Sequence, residues 1–334
     1  MGYNQLRRQI MQQRILNNLR DVPALGNIYY VFDADDTYYS AFQAIVNQTY
    51  SDGTQAFHLT LESAYTACTS GRNDVILLDG KSTHLVSTGL AWSKNRIHVV
   101  GMDGGDHLVQ QGAKIELTGA IDVAYLMKCT GVRNSFRNIK FIQSSTHANA
   151  LNVVQFAGEG NLYKNCSFMF GTDSNTDLTT SSEALMGEDS GTFINCSFGN
   201  DNLLSTGARN IMAIDAISGA SSADGAKNNR FVDCEWIVQS SSASAVLVKL
   251  VDTAGAKFLN VFIRPRFHAI LSAGGGGVAI TNAFQSVASF VDGSIDLYMP
   301  ASFNCTNLCN TLSANVMTYG PVTSAQAGEA GTPS

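Results

Sequence analysis

Apolar and polar positions along the chain recur in one six-residue pattern: aromatic, any residue, Asn or Asp, small or branched, any residue, apolar. It reads Phe136-Arg-Asn138-Ile-Lys-Phe141, Tyr163-Lys-Asn165-Cys166-Ser-Phe168, Phe193-Ile-Asn195-Cys196-Ser-Phe198, Phe231-Val-Asp233-Cys234-Glu-Trp236, Phe258-Leu-Asn260-Val-Phe-Ile263 and Phe290-Val-Asp292-Gly-Ser-Ile295. The Asn or Asp positions lie 27 to 38 residues apart. A self-similar period of this size marks a solenoid, a propeller or an array. Alternate residues of a strand share a face, so one unbroken strand would put Phe193 and Phe198 on opposite sides. Asn and Asp tolerate the left-handed backbone region better than other non-glycine residues. A left-handed residue at Asn195 resets the phase and turns Phe193, Cys196 and Phe198 to one lining, with Ile194 and Ser197 outside. The unit predicted is two strands meeting at a tight corner.

A companion apolar strand precedes each corner: Val123–Lys128, Ala150–Phe156, Glu183–Gly187, Asn210–Asp215, Ser244–Leu250 and Gly277–Ile280. Between them run segments of Gly, Ser, Thr and Asp that read as projecting loops. The alternative, separate hairpins in a sandwich, would use Asn-Gly or Asp-Gly between equal strands; within the pattern only Asp292-Gly293 supplies one. About eight or nine coils at roughly 4.8 Å each make a body about 40 Å long.

The corner resembles the asparagine turn of right-handed parallel β-helices of the pectate-lyase-like kind. The resemblance implies an all-β, right-handed parallel β-helix solenoid in which Asn138, Asn165, Asn195, Asp233, Asn260 and Asp292 stack as a corner ladder. Cys166, Cys196 and Cys234, with Phe168, Phe198 and Trp236, would then form an interior stack. The start is also similar to that family: a helix over Leu59–Cys68, then Gly71-Arg-Asn-Asp-Val-Ile-Leu-Leu-Asp-Gly80, then Ile97-His-Val-Val-Gly101. A solenoid needs such a cap, because its end coil exposes apolar surface and unpaired strand edges.

Residues 1–20 belong to no repeat. Leu6, Ile10, Ile15 and Leu19 make a loose helical stripe beside Arg7, Arg8 and Arg14, and Asp21-Val22-Pro23 ends it. It reads either as a helix capping the coil or as an arm that docks on a larger body. The divisions expected are a helical arm at 1–25, a cap at 26–70, the β-helix at 71–315 and a flexible tail at 316–334.

Charged residues make up only 14% of the 334, well under the usual quarter, which suits stacked strands carrying short neutral side chains outside. The net charge of −6 argues against a nucleic-acid partner. No 18-residue apolar run points to a membrane span, and the polar N-terminus does not read as an export signal. Seven cysteines, an odd number, fit buried packing and a reducing site of synthesis; Cys305 and Cys309 could pair or ligate but have no second cluster beside them. The six histidines are scattered without ligand spacing, so neither a metal nor a cofactor is expected. For catalysis the richest stretch is Arg264-Pro-Arg266-Phe-His268, which loosely resembles the Arg-Pro segments of pectate lyases.

The combination of coil, non-repeat arm, C-terminal tail and cysteine usage resembles virion proteins of tailed bacteriophages. That resemblance implies a non-enzymatic capsid decoration protein, a homotrimer assembled in the host cytoplasm and fixed to the major capsid protein by its arm. The alternatives are a tailspike or tail fibre that binds or cleaves host polysaccharide, and a free polysaccharide lyase.

Overall fold

The computed structural model describes residues 26–32, 43, 46–102, 112–171, 180–215, 217, 226–251, 259–271, 276–286, 294–310 and 316–320. The proposed arm residues Leu6, Arg7, Arg8, Ile10, Arg14, Ile15 and Leu19, and positions 321–334 of the proposed tail, lie outside these.

The chain winds as a right-handed parallel β-helix with three sheets, of eleven, eight and eight strands. Among the described residues, eight coils each contribute one strand to each sheet, and Ile28–Val31, Phe57–His58 and Val316–Tyr319 extend the first sheet at its ends. In one coil these are Leu162–Lys164, Ser167–Phe170 and Ser182–Met186; in the next, Thr192–Ile194, Ser197–Ser205 and Asn210–Ile214. Named strand pairings are all parallel, as in Tyr163↔Phe193↔Phe231↔Phe262. The corner pattern spans the first and second sheets and the companion strand forms the third.

The corner works as its residue types require. Asn138, Asn165, Asn195 and Asp233 have φ of 57°, 52°, 50° and 54°. The aromatics before the corner stack rung on rung: Phe136–Tyr163 at 5.3 Å between ring centres, then Tyr163–Phe193 and Phe193–Phe231 at 4.7 Å, then Phe231–Phe262 at 4.5 Å. Those after it stack likewise, Phe141–Phe168 and Phe168–Phe198 at 5.1 Å and Phe198–Trp236 at 5.4 Å, and Phe267 lies tilted against Trp236 at 5.2 Å. Cys166, Cys196 and Cys234 are buried, and each thiol donates to the carbonyl of the aromatic one rung earlier, Phe136, Tyr163 and Phe193. All seven cysteines are buried thiols outside any disulfide.

Two of the six expected corners are displaced. Phe231 pairs with Phe262, not Phe258, so Asp233 is followed on the next rung by Arg264 (φ 50°). Phe262 in turn pairs with Leu297, which puts Met299 (φ 50°) at the corner after that. Asn260 instead begins a strand, buried, and Asp292 lies outside the described residues. At both displaced corners proline follows, Pro265 and Pro300. Around the first, the hydrogen bonds run through the N–H groups of Arg264 and Arg266, so the missing donor of Pro265 falls between them.

The coil also passes the expected boundaries. Ile28–Val31 pairs with Val75–Leu78, and Val316–Tyr319 pairs with Ile295–Tyr298 in the same sheet. The helix Leu61–Ala67 covers the first coil. Thr60 caps its start by accepting from the Ser63 N–H. Lys94 closes its end: Nζ donates to the carbonyls of Tyr65, Thr66 and Cys68 at 2.7, 2.8 and 2.6 Å. Tyr65 stacks on Trp92 at 4.0 Å.

Candidate functional site

Arg264 forms the corner of one coil, with Arg266 and His268 after it, and Asp233 and Glu235 hold the places of the two arginines one coil earlier. The structure brings all five together. Arg264 chelates Asp233, Nε to Oδ1 and Nη2 to Oδ2, both at 2.6 Å. Arg266 lies 3.6 Å from Glu235, which is almost wholly buried. His268 stacks face to face on Phe303 of the next coil at 4.8 Å. Burial, and then the Arg266 charge, lower its pKa below the ordinary histidine value. The cations therefore neutralise carboxylates of the preceding rung, and the row is a clasp between coils. Asn165 and Asn138 make the same kind of clasp as amides, Nδ2 to Oδ1 at 3.1 Å.

A second ladder, absent from the sequence reading, lies at the turn from the third sheet into the first. Here Asn134, Asn161, Asn229 and Asn260 are buried two residues before the stacked aromatics. Each side-chain oxygen accepts a backbone N–H of the coil before: Ile97 to Asn134 at 2.8 Å, Asn134 to Asn161 at 2.7 Å, Gly191 to Asn229 at 2.8 Å and Asn229 to Asn260 at 3.0 Å. Three of the amide nitrogens donate back to carbonyls, Asn161 to Gly131, Asn229 to Glu188 and Asn260 to Ala226. In the middle coil the place belongs to Gly191, which has no side chain to offer. The Glu188 carboxyl fills it, with Oε1 accepting the Asn161 N–H at 3.0 Å. A Cβ on Gly191 would lie 2.9 Å from that carboxyl carbon. Burial pushes the Glu188 pKa up to about 7 against the pull of Asn161 and Tyr163.

The same turn carries a row of left-handed residues, Arg96, Arg133, Gly160, Ser190, Asn228 and Leu259. Arg96 and Arg133, exposed on successive coils, line an open groove of about 310 Å³ with Gly71, Asn95, Val132, Glu159 and Gly160. Another buried pair, Glu183 with Arg209, sits inside the coil, the guanidinium 6.0 Å from the centre of the Phe170 ring. Among the described residues no group of three His, Cys, Asp or Glu could hold a metal ion, and no helix is long and apolar enough to cross a membrane.

No family model and no curated protein matches the chain. Solved structures do. Pectate lyase Pel9A superposes with a TM-score of 0.51 at 12% identity, over 93% of this chain and 81% of that one. A pectin methylesterase in complex with a hexasaccharide gives 0.48 at 12%, over 92% of each chain. Pectin methylesterase PemA from Erwinia chrysanthemi gives 0.45 at 11%, over 91% and 93%. At such identity the likeness to the pectate lyase is one of fold, and it agrees with the three stacked sheets: the chain is a parallel β-helix.

Proposed function

We propose that this chain is a non-enzymatic structural protein of a tailed-bacteriophage virion, a capsid decoration protein held to its lattice by residues 1–25. The observation that carries the structural half is the clasp of Arg264 on Asp233. The one Arg- and His-rich stretch is engaged rung to rung, and the cysteine thiols, potential nucleophiles, are sealed in the interior. The virion half rests on the sequence: a neutral polar exterior and an arginine-bearing arm outside the repeat. Assembly as a homotrimer belongs to this reading. Electron microscopy of particles containing the chain tests it. Density at regular capsid positions, lost on deletion of residues 1–22, supports it; absence from particles rejects it.

A second reading, recognition of a host glycan, is favoured by the groove between Arg96 and Arg133. Neither guanidinium makes an ion pair among the described residues, and a planar guanidinium suits a carboxylate. Each arginine also sits in a left-handed conformation, which is costly for such a residue. Titration with acidic and neutral oligosaccharides tests this. Binding of the acidic one alone, abolished in Arg96→Gln/Arg133→Gln, would favour a tail or glycan-binding role; no binding of either removes the reading.

A further inference from the structure

The amide ladder is completed in its middle coil by an acid. Where Asn161, Asn229 and Asn260 stand, the side chain presents one acceptor, Oδ1, and one donor, Nδ2, and the donor faces a backbone carbonyl. Glu188 reproduces the acceptor half through Oε1. Its other oxygen, Oε2, is buried without a close hydrogen bond, although the buried Tyr163 hydroxyl lies near enough to pull on the carboxyl. A carboxylate has no proton to offer, whereas a carboxylic acid has one. Buried polar atoms are ordinarily satisfied, and an uncompensated charge in a closed interior is disfavoured.

We infer that Glu188 completes the ladder as a neutral carboxylic acid, its Oε2–H taking the donor role that Nδ2 has on other coils, so that deprotonation loosens the coil at this turn. Burial, the largest influence, favours the neutral form against the pull of Asn161 and Tyr163. Asp189, on the same turn, opposes a second negative charge, and Lys227 at 3.8 Å from its Oδ2 is directed to that residue. From the first sheet come Tyr163 and the Asn161 N–H; from the third sheet comes Cys129, whose thiol pKa is itself pushed up to about 12, mainly by burial. Asn229 of the following coil binds the Glu188 carbonyl. Among these neighbours none brings a positive charge to the Glu188 carboxyl.

The sign follows from the raised pKa. Below the unfolded carboxyl's range, near 4.5, folded and unfolded chains are both neutral here and the ladder is whole. The contribution fades as pH rises through about 7. A latch that is closed in acid and slack by about neutral pH is thereby built into the middle of the coil.

The test is carbon NMR of the chain labelled at glutamate carboxyls, with amide exchange of Asn161, between about pH 5 and pH 9. Glu188→Gln and Glu183→Gln assign the two buried carboxyls. The result expected is a carboxyl that titrates near neutrality and is absent from Glu188→Gln. Asn161 protection should fall about tenfold per pH unit between the ordinary carboxyl range and that midpoint in the wild type, level off above it, and stay level throughout in Glu188→Gln. A Glu188 carboxyl titrating in the ordinary range, or Asn161 protection independent of pH in the wild type, overturns the inference. If Glu188→Gln does not fold, the wild-type exchange profile still decides, with Glu183→Gln removing the other carboxyl.

Discussion

The Arg264 guanidinium holds the Asp233 carboxylate in a two-pronged clasp across neighbouring coils, at the place where Asn165 and Asn138 meet as amides. The ion pair thus stands in for one step of an amide ladder. Both partners are exposed to solvent, so salt screens the attraction, and arginine is a poorer occupant of a left-handed corner than asparagine. The double variant Asp233→Asn/Arg264→Asn is expected to melt at or above the wild-type temperature. Its melting should lose the salt sensitivity that the pair confers. Thermal unfolding at low and high salt checks both; a marked fall in Tm would show that the clasp does more than bridge coils.

Phe193 is fully buried and lies between Tyr163 and Phe231, 4.7 Å from each ring. Phe193→Ala removes contacts on both sides inside a stack that cannot collapse without shifting a strand. The expected cost is about 3–5 kcal/mol, read as a lower urea midpoint with an unchanged slope.

The two ladders differ in burial, and the buried one should matter more. Asn229→Ala strands the Gly191 N–H and the Glu188 carbonyl, two backbone groups inside the coil. Each orphan costs about 1–3 kcal/mol. Asn165→Ala removes the contact with Asn138, which is half-exposed and can turn to water. Comparative denaturation should rank Asn229→Ala as the more damaging by at least about 1 kcal/mol.

Much of this body is readable in the sequence, for a physical reason. The stacked interior demands an aromatic on each side of a left-handed corner, so Phe193-Ile-Asn195-Cys196-Ser-Phe198 and its copies carry the coil, its lining and its sheet assignment. The pattern fails where another residue can do the corner's work. Asn is favoured there, not obligatory, so Arg264 and Met299 occupy the corners that the pattern assigns to Asn260 and Asp292. The buried ladder was visible as Asn two residues before an aromatic, in Asn134-Ser-Phe136, Asn161-Leu-Tyr163, Asn229-Arg-Phe231 and Asn260-Val-Phe262. Gly191 interrupts that series, and the substitute, Glu188, enters from three residues away, a relationship that only the folded turn reveals. The clasp around Arg264 was equally hidden, because pairing between residues 31 apart depends on the register of adjacent coils.

The cap makes its own prediction. Lys94, on the first full coil, supplies one charge to three carbonyls at the C-terminal end of the helix Leu61–Ala67, where the helix dipole also favours a cation. Lys94→Met keeps the stem and removes the donors. The expected loss is about 1–3 kcal/mol, concentrated locally: faster amide exchange and earlier proteolysis in residues 59–70 than in the stacked coils. Uniform change along the chain would contradict the cap's role.

The buried pair Glu183 and Arg209 gives the sharpest energetic contrast. Burial raises the Glu183 pKa to about 7 even though Arg209 pulls it down, which means desolvation outweighs the attraction of the partner. Two Arg209 nitrogens, Nε and Nη1, and Glu183 Oε2 are buried without hydrogen bonds. A pair so incompletely satisfied contributes little net stability, yet removing one member leaves the other stranded. Glu183→Leu alone is expected to cost about 3–5 kcal/mol. Glu183→Leu/Arg209→Met, which fills the same space with apolar atoms, should return to the wild-type value or exceed it by about 1–4 kcal/mol. Neighbouring Leu126, Val153, Ile211 and Leu247 already line the interior at the equivalent or adjacent rungs. Urea unfolding of the two variants separates the cases: if the double variant is as unstable as the single one, the charged pair is stabilising, and the polar interior there is held together by more than packing.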